Sequence, residues 1–570
     1  MPPRAALWGL ILAAVVAVSY FNALDTPFVL DDPLHITKNP RIQRPLAISQ
    51  LAGDPRGVVT ASLRLNYSSS GEDVTSYHLL NLFAHLATGY LVFLLSYVTL
   101  RLPSMGGRFE RSADAIAALI AAIFLLHPMQ TESVTYIIQR SEIFASAALV
   151  AALLAFVDAT DLRRRGALVG LVAACLFGAY SKPFFVVLPA ILLAYDFCFL
   201  SRNLRGLGER AIAYAISIVA SIYVLVLSTR TGSFSGNTAG FDVEGITPLD
   251  YLSTQFGVVV YYLRMVLWPD RLCFDCGYQG PWPVLQSPLG DSVLVPALIL
   301  VALFGLGAAL WRSYPPLLFA VLGSAFVLAP SSSIVPLADF YVEHRMYLAI
   351  ALMALALVPA AYQLTTALTE RMSMEADVAR TVRLGLAVVV CAVLGLLTLQ
   401  RNNVYADKLL LMQDTLSKAP NSERVQYNIA NEYGRRGDNE KAEAHYKEAI
   451  RIAPGIVRGY MNLGSLYLKT DRVEEALQTF LAGVAAKPDN AMAHRNAASA
   501  YLRLKRPQEA LELIDRAVAL EPEHPNGRKL RGQALQTLAR RDEAREEFEK
   551  AAELAPKDAS IKTALQQLGG

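Results

Sequence analysis

The chain has 570 residues, of which 54% are hydrophobic and 18% are charged. This composition is too apolar for a soluble protein of that length and predicts a membrane protein with many spans. The formal net charge of +3 gives no electrostatic reason to expect nucleic-acid binding. Five cysteines are too few for a disulfide scaffold. Two of them, Cys273 and Cys276, form a C-x-x-C pair, for which a disulfide and two free thiols are both open.

Eleven apolar runs are candidates to cross the ~30 Å hydrocarbon core of a bilayer, and two of them, 113–126 and 315–330, are short. The runs lie at about 5–23, 77–100, 113–126, 141–159, 166–181, 183–200, 211–228, 291–311, 315–330, 346–364 and 384–400. A further apolar stretch at 251–268 is rich in Tyr and ends in Trp. We interpret it as a helix in the outer interface of the membrane, where aromatic residues are enriched.

Short loops rich in arginine predict the orientation of the spans. They lie at 101–111, 163–165, 202–210 and 371–383, and all fall on one side if the N-terminus is cytoplasmic. Residues 1–402 then form a polytopic domain with outer loops at about 24–76 and 229–290. The first apolar run is interpreted as a retained helix, because no convincing signal-peptide cleavage site follows it. The predicted location is a bacterial inner membrane, or the endoplasmic reticulum of a eukaryote.

The C-terminal part of the chain is repetitive. Proline recurs every 34 residues, at positions 420, 454, 488, 522 and 556. This period, together with alanine, glycine and aromatic residues at matching positions, is the signature of tetratricopeptide repeats. We therefore predict an all-α protein: a polytopic helix bundle, a linker helix at 403–420, and about four repeats at 421–570 with a C-terminal cap. The repeats are expected outside the cytoplasm.

The repeats also carry a candidate binding surface. Such arrays commonly bind a peptide or protein on their concave face, which the first helix of each repeat lines. Amide side chains there can bind a peptide backbone, and the candidates are Asn428, Asn431, Asn462 and Asn496. A spacer or assembly platform is the alternative, because a fold alone does not determine a function.

Charged residues cluster at the predicted outer ends of the spans. They include Asp31, Asp32, His127, Glu132, Arg140, Lys182, Glu343, His344 and Arg345. Cations at that depth suit the phosphate of a lipid head group. A nearby carboxylate can accept a proton from a hydroxyl that attacks a sugar carbon, and negative charge stabilises an oxocarbenium-like transition state. The pattern favours glycosyl transfer from a lipid-phosphate sugar.

Each of these residues also has a structural interpretation. Asp31, Asp32 and Pro33 could form a turn, His127 before a proline could end a helix, and Glu343 could pair with Arg345. If the site is functional, we predict Asp32 as the general base, because Pro33 is expected to hold its backbone extended.

Other roles follow from that choice. Asp31 would support the loop, and at least one of Arg140, Lys182 and Arg345 would bind the donor phosphate. The acidic pair could ligate a divalent cation, but no D-x-D with further oxygen ligands is visible, so we expect no metal.

The order of several motifs is more specific than any one of them. F-V-L-D-D, S-Y-H-L-L-N-L-F-A-H, H-P-M-Q-T-E-S-V, Q-R-S-E and V-E-H-R-M-Y-L follow one another along the chain. This order resembles the TMTC family of membrane proteins with C-terminal tetratricopeptide repeats, which are relatives of the protein O-mannosyltransferases.

The resemblance implies a GT-C fold, a polyprenyl-phosphate donor carrying mannose or another hexose, and inversion at the anomeric carbon. It also implies acceptor hydroxyls on exported proteins. It places Asp31 and Asp32 in the catalytic region and Glu132, Arg140, Glu343 and Arg345 near the donor pocket. His127 and Lys182 are added to the donor-binding candidates from their position at the outer ends of the spans. Two other functions stay open: a non-catalytic scaffold for an envelope or polysaccharide-export complex, and an oligosaccharide transferase or lipid-linked-glycan polymerase.

Overall fold

The protein is described by a computed structural model over residues 4–44, 48–159, 165–202, 208–231, 247–276, 291–337 and 339–569. Within these ranges the regular elements are helices, which confirms the all-α prediction. The chain divides into two compact units, Met1–Lys418 and Ala419–Gly570. The predicted basic residues at 163–164 and 205 lie outside the described ranges, as does much of the predicted loop at 229–290.

The first unit contains eighteen α-helices in the described ranges. They are α1 Ala5–Tyr20, α2 Asp32–His35, α3 Pro40–Gln43, α4 Ile48–Ala52, α5 Gly57–Ser70, α6 Thr75–Leu100, α7 Ala113–Leu126, α8 Thr131–Thr135, α9 Arg140–Asp158, α10 Arg165–Ala179, α11 Leu188–Tyr195, α12 Ala211–Arg230, α13 Pro248–Leu267, α14 Asp291–Leu310, α15 Pro315–Leu328, α16 Tyr347–Arg371, α17 Ala376–Tyr405 and α18 Lys408–Lys418.

Eight helical segments among the described residues are long and apolar enough to cross a membrane. The bent pair Ala113–Leu126 and Pro128–Thr135 would make a ninth. Two more of the eleven predicted runs are the shorter apolar helices α10 and α15. The first unit is therefore a polytopic membrane bundle, as the sequence predicts. The stretch predicted to lie in the interface is α13, which is outside this set of eight.

The centre of the bundle is built by α6, α7 and α9, with α1, α16 and α17 packed around them. Close packing here depends on small residues: a Cβ added to Gly89 of α6 would lie 2.5 Å from the Leu125 side chain of α7. These helices bring together four segments. Two of them follow α1 and α7, and the other two are the short 3₁₀ turns that precede α9 and α16. The candidate site lies among those segments.

The second unit consists of four helix pairs followed by one helix. The helices are α19 Glu423–Arg436, α20 Asn439–Ile452, α21 Val457–Lys469, α22 Val473–Ala486, α23 Ala491–Arg503, α24 Pro507–Leu520, α25 Pro525–Thr537, α26 Arg541–Leu554 and α27 Ala559–Gly569. Small residues occur where paired helices touch, since a Cβ added to Gly464 would lie 2.4 Å from the Phe480 ring. This is the packing that the 34-residue period predicts.

Candidate functional site

The acidic pair follows a strained turn at the end of the first span. Leu30 has a φ of +40°, a conformation that is costly for a residue with a branched side chain. The turn is held by Asp32, whose carboxylate accepts hydrogen bonds from the backbone N–H of Val29 and of Ile138, each at 3.0 Å. Because residues 29 and 138 are far apart in sequence, Asp32 joins the first loop to the segment before α9.

The two aspartates have different surroundings. Asp32 is fully buried, and burial raises the pKa of its carboxyl to about 7, although both N–H donors and the charge of Arg140 oppose the rise. The Asp31 side chain is exposed, and it forms no hydrogen bond or ion pair with any residue that the structure describes. The Asp31 backbone N–H donates to the Tyr136 hydroxyl at 3.3 Å. Only Asp31 therefore presents a free carboxylate.

The backbone expectation for Asp32 is wrong. It begins the one-turn helix α2 rather than an extended segment, and its carbonyl accepts from the Ile36 N–H at 2.8 Å. Proline is compatible with the first turn of a helix, where its missing N–H has no partner to lose. Pro33 therefore lies in the first turn of α2 and does not direct the Asp32 side chain outward.

The motif S-Y-H-L-L-N-L-F-A-H forms a polar stripe on α6. His78 Nε2 is 2.8 Å from the carbonyl oxygen of Thr26, and Asn81 donates to the carbonyl of Val134 at 2.9 Å. His85 lies 3.1 Å from the carbonyl oxygen of Leu125. Each side chain thus holds a different segment of backbone against α6. The motif fixes the first loop and the α7–α9 connection in place.

Arg140 belongs to the same framework. Its guanidinium donates to Ser62 and Asn66 on α5 at 3.1 and 2.7 Å, and to the carbonyl of Tyr77 at 3.2 Å. It lies over the Tyr77 ring, 5.8 Å from the centroid, and is fully buried. These contacts join α5, α6 and α9 behind Asp32.

A group of cations lies beside the acidic loop. Lys182 forms an ion pair with the buried carboxylate of Glu142. Burial lowers the pKa of Lys182; Glu142 opposes this effect, and the charges of Arg56 and Arg345 increase it. Arg345 donates to the carbonyls of Asp339 and Phe340 at 2.7 and 3.3 Å. Because a backbone carbonyl has no net charge, these two bonds do not neutralise the guanidinium. The three cations are Lys182, Arg56 and Arg345, and they lie near Glu142 in the first turn of α9.

Arg56 connects this group to Asp31. Its side chain is exposed, yet burial among protein atoms lowers its pKa, with Asp54 and Glu142 opposing. Arg56, Lys182, Arg345, Glu132 and Glu142 are together called the recess below. Burial also lowers the pKa of His35, and the charge of Arg56 adds to this effect while that of Asp31 opposes it. The charges of Arg56 and Asp31 therefore act on the same imidazole, that of His35.

Glu132 joins the group through a histidine. Its Oε1 is 2.7 Å from His344 Nδ1, and its Oε2 accepts from the His344 backbone N–H at 3.0 Å. Glu132 is buried, whereas the His344 side chain keeps 12% of its surface exposed. A buried carboxylate that orients a partly exposed imidazole is an arrangement that can move or hold a proton.

Two predicted donor residues lie elsewhere in the framework. His127 is buried; its Nε2 is 3.1 Å from the carbonyl oxygen of Val266, and its Nδ1 accepts from the Met129 N–H at 3.3 Å. Glu343 is buried 3.7 Å from Arg401, which bonds Asp414 of α18 at 2.6 Å. His127 therefore stabilises the bend after α7, and Glu343 faces the linker helix.

The C-x-x-C pair is a buried disulfide between Cys273 and Cys276. The loop that it closes presents Phe274, which packs edge-to-face on Tyr136 and on Tyr405 with centroids 5.4 Å apart in both cases. Phe274 shares this cluster with Val29 of the acidic loop. The disulfide loop therefore supports Tyr136, whose hydroxyl meets the backbone of Asp31.

In the second unit, two of the four predicted asparagines bond to each other. Asn462 donates to Asn431 at 2.8 Å and to the Tyr427 hydroxyl at 2.9 Å, and the Tyr446 hydroxyl donates to Asn431 at 2.6 Å. The Asn496 amide lies 3.2 Å from Met461 Sδ. Asn428 is half-buried on the same helix face as Asn431. The amides form a row across successive repeats.

Sequence reasoning missed Arg56 and Glu142. Arg56 lies in the first loop at the N-terminal boundary of α5, where an arginine reads as an ordinary surface residue. Glu142 is the last residue of the motif Q-R-S-E, and its position two residues after Arg140 could have identified it as a candidate. No local signal identifies Arg56.

Comparisons with known proteins match both parts of the chain. A family model described as tetratricopeptide repeat matches residues 427–491, 474–528 and 495–559. Protein O-mannosyl-transferase F38B6.6 of Caenorhabditis elegans is 23% identical over 78% of this chain and 62% of its own length. The chain is therefore similar to proteins named TMTC protein O-mannosyl-transferases. Drosophila melanogaster Tmtc1 and Mus musculus TMTC3, both named protein O-mannosyl-transferases, are 32% and 29% identical over 26% of this chain.

The chain spans 62% or less of the length of these relatives. The eight apolar helices among the described residues, together with the repeats, indicate an integral membrane protein with a repeat unit of the kind used in protein–protein interaction.

Proposed function

We propose that the protein is an integral-membrane glycosyltransferase of the GT-C type. It transfers mannose or another hexose from a polyprenyl-phosphate donor to hydroxyls of exported proteins. The observation that supports this most directly is the exposed carboxylate of Asp31, which has no partner among the described residues and lies on the loop that Asp32 joins to the segment before α9. Carboxylate and cations are the two groups that glycosyl transfer from a phosphate requires. The relatives are named protein O-mannosyl-transferases, which is the same class of reaction.

The proposed reaction is a single displacement. The acceptor oxygen attacks the anomeric carbon, and the bond from that carbon to the phosphate oxygen breaks with inversion. Asp31 accepts the proton of the acceptor hydroxyl, while Asp32 holds the turn that presents Asp31. This reverses the roles predicted from sequence, because the Asp32 oxygens are already occupied by two N–H donors. Asp31 has the exposure that a base needs.

The charges of the recess match the proposed donor. Arg56, Lys182 and Arg345 carry positive charges, which can form charge-assisted hydrogen bonds with the single negative charge of a phosphodiester. Lys182 can exchange Glu142 for the phosphate without leaving the recess. Arg140 and His127 are assigned to the framework and not to the donor.

Neutral substitutions in the recess should weaken donor binding selectively. We expect Arg56→Gln and Arg345→Gln each to raise the donor KM by about 10–100-fold, because a charge-assisted hydrogen bond contributes ~1.5–3 kcal/mol. The acceptor KM should stay unchanged. The assay is transfer by purified protein in liposomes, with a mannosyl polyprenyl phosphate as donor.

Arg41→Gln is the matched control, since Arg41 is an exposed cation of the same loop. Equal changes in both KM values would contradict the placement of the phosphate. Failure of the wild-type protein to transfer any sugar would favour a scaffold.

The orientation proposed for this site is extracytoplasmic. Disulfides persist in oxidising compartments, and the loop closed by Cys273 and Cys276 contacts both the acidic loop and α18, where Lys418 donates to the Leu272 carbonyl. The described chain has no candidate span after Tyr405. The repeats therefore begin on the side that carries the disulfide.

Right-side-out membrane vesicles test this orientation. External protease should release the repeat unit, Ala419–Gly570, from intact vesicles. Release from inside-out vesicles alone would reverse the topology, and α13 would then be the first segment to reconsider as a span.

The row of amides in the repeats is the proposed binding surface for the acceptor polypeptide or another protein partner. Asn431 and Asn462 hold each other and two tyrosines, so they fix the shape of the surface. Asn428 and Asn496 are left to bond a bound backbone.

A further inference from the structure

We propose that His344, held by Glu132, protonates the departing polyprenyl phosphate. This role rests on the proposed transferase function and adds a general acid on the phosphate side of the reaction. Three observations support it: the geometry of the pair, the position of the imidazole among the cations, and the charge that must develop on the leaving group.

The geometry leaves one ring nitrogen available. Glu132 occupies Nδ1 at 2.7 Å and the His344 backbone N–H at 3.0 Å, so two bonds fix the orientation of the ring. Nε2 has no hydrogen-bond partner among the residues that the structure describes, and it is not sealed off from solvent. With Glu132 ionised, Nδ1–H is the donor in the pair. Nε2 is then the nitrogen that can exchange a proton with a ligand.

The imidazole faces the charged groups of the recess. The charged residues whose fields act on His344 come from four different segments, and they are Glu132, Glu142, Lys182, Asp339 and Arg345. Burial disfavours a positive imidazole, as do the charges of Lys182 and Arg345, whereas the carboxylates favour it. A bound phosphate adds one more negative charge beside the ring. Donor binding should therefore bring a proton to His344.

The proton balance of the reaction then closes. Breaking the bond between the anomeric carbon and the phosphate oxygen sends its electron pair to the phosphate, which would carry two negative charges. Nε2–H of His344 gives its proton to that oxygen, so polyprenyl hydrogen phosphate leaves with one charge. The acceptor hydroxyl loses its proton to Asp31. Binding of the next donor brings a proton from solvent to His344, and solvent takes one from Asp31, which closes the cycle.

The experiment measures proton uptake on binding, which does not require turnover. The probe is a fluorinated, slowly reacting analogue of the mannosyl polyprenyl phosphate donor, whose phosphodiester does not titrate near neutral pH. Calorimetry in buffers of different ionisation enthalpy gives the protons taken up. We expect the wild-type protein to take up about one proton at neutral pH. We expect His344→Gln and Glu132→Gln to bind the probe with this uptake lost.

Kinetics supply the second measurement. His344→Gln should lower kcat by ~10²-fold or more with little change in the donor KM, because the proton is transferred only as the bond breaks. His445→Gln is the matched control, since His445 is paired with the Gln426 side chain at 2.6 Å in the repeat unit. It should change neither quantity.

The outcomes separate the two proposals. Binding by the wild-type protein without proton uptake, or uptake that persists in His344→Gln, would overturn the role of His344 and leave the transferase proposal standing. If the wild-type protein does not bind the probe, the transferase proposal fails with it. Thermal unfolding of each variant shows whether it is folded, and Glu132→Gln provides the test if His344→Gln is not.

Discussion

Replacing Asp31 with asparagine should lower turnover by ~10²–10⁴-fold, the usual contribution of a positioned general base. Asparagine keeps the size and polarity of the side chain but cannot accept the proton of the acceptor hydroxyl. The Asp31 carboxylate is exposed and forms no hydrogen bond or ion pair with a residue that the structure describes. Folding and donor binding should therefore be unchanged. The measurements are the initial rate of transfer, the donor Kd and the unfolding temperature.

Asp25→Asn is the control, because Asp25 is an exposed carboxylate six positions earlier on the same loop. It should transfer sugar at the wild-type rate. Wild-type turnover in Asp31→Asn would remove the catalytic assignment.

Asp32→Asn should behave differently. An amide can accept from only one of the two N–H groups that Asp32 now serves, so one buried donor loses its partner at a cost of ~1–3 kcal/mol. Burial raises the pKa of Asp32 to about 7. The contribution of this carboxyl to stability is therefore present at low pH and lost as the pH rises toward 7. The asparagine variant should lack that pH dependence. Turnover should fall mainly through loss of folded protein.

The comparison between the two variants decides which aspartate is the base. If Asp32→Asn abolished turnover in fully folded protein while Asp31→Asn remained active, the assignment made from sequence would hold.

The sequence predicts the architecture well because its signals are periodic. Apolar runs of bilayer length predict spans, and a proline every 34 residues predicts repeats. Both patterns depend on many residues, so single irregularities do not obscure them. The bent pair Ala113–Leu126 and Pro128–Thr135 is the exception. The predicted run ends at Leu126, whereas the structure has a second short helix after His127 that meets the criteria for a span only together with the first.

The roles of single residues are harder to predict because they depend on tertiary partners. The sequence predicts Asp32 as a base on an extended backbone, but Ile138, 106 residues away, supplies one of its hydrogen bonds. It predicts Lys182 as a candidate ligand of the donor phosphate, but Glu142 forms an ion pair with it. In both cases the deciding atom comes from α9 or the turn before it. No pattern within ten residues of Asp32 or Lys182 contains that information.

Arg140→Met should be among the most destabilising single substitutions in the membrane unit. The substitution removes a fully buried guanidinium and leaves Asn66 and the Tyr77 carbonyl without their donors. Asp32 also loses the opposite charge that acts on it. Removing one partner from a buried charged network typically costs ~3–5 kcal/mol, and methionine fills the volume, so the loss is electrostatic more than steric. Thermal unfolding in detergent measures it.

Lysine should not rescue Arg140, because a single ammonium cannot reach Ser62, Asn66 and Tyr77 with the planar fork that the three bonds require. Arg41→Met provides the matched control. Arg41 is exposed on the same loop, and surface substitutions usually change stability by about 0.5 kcal/mol or less. The opposite result is equally informative: a stable Arg140→Met protein with a raised donor KM would make Arg140 a phosphate ligand. The guanidinium would then have to leave α5 and α6 when donor binds.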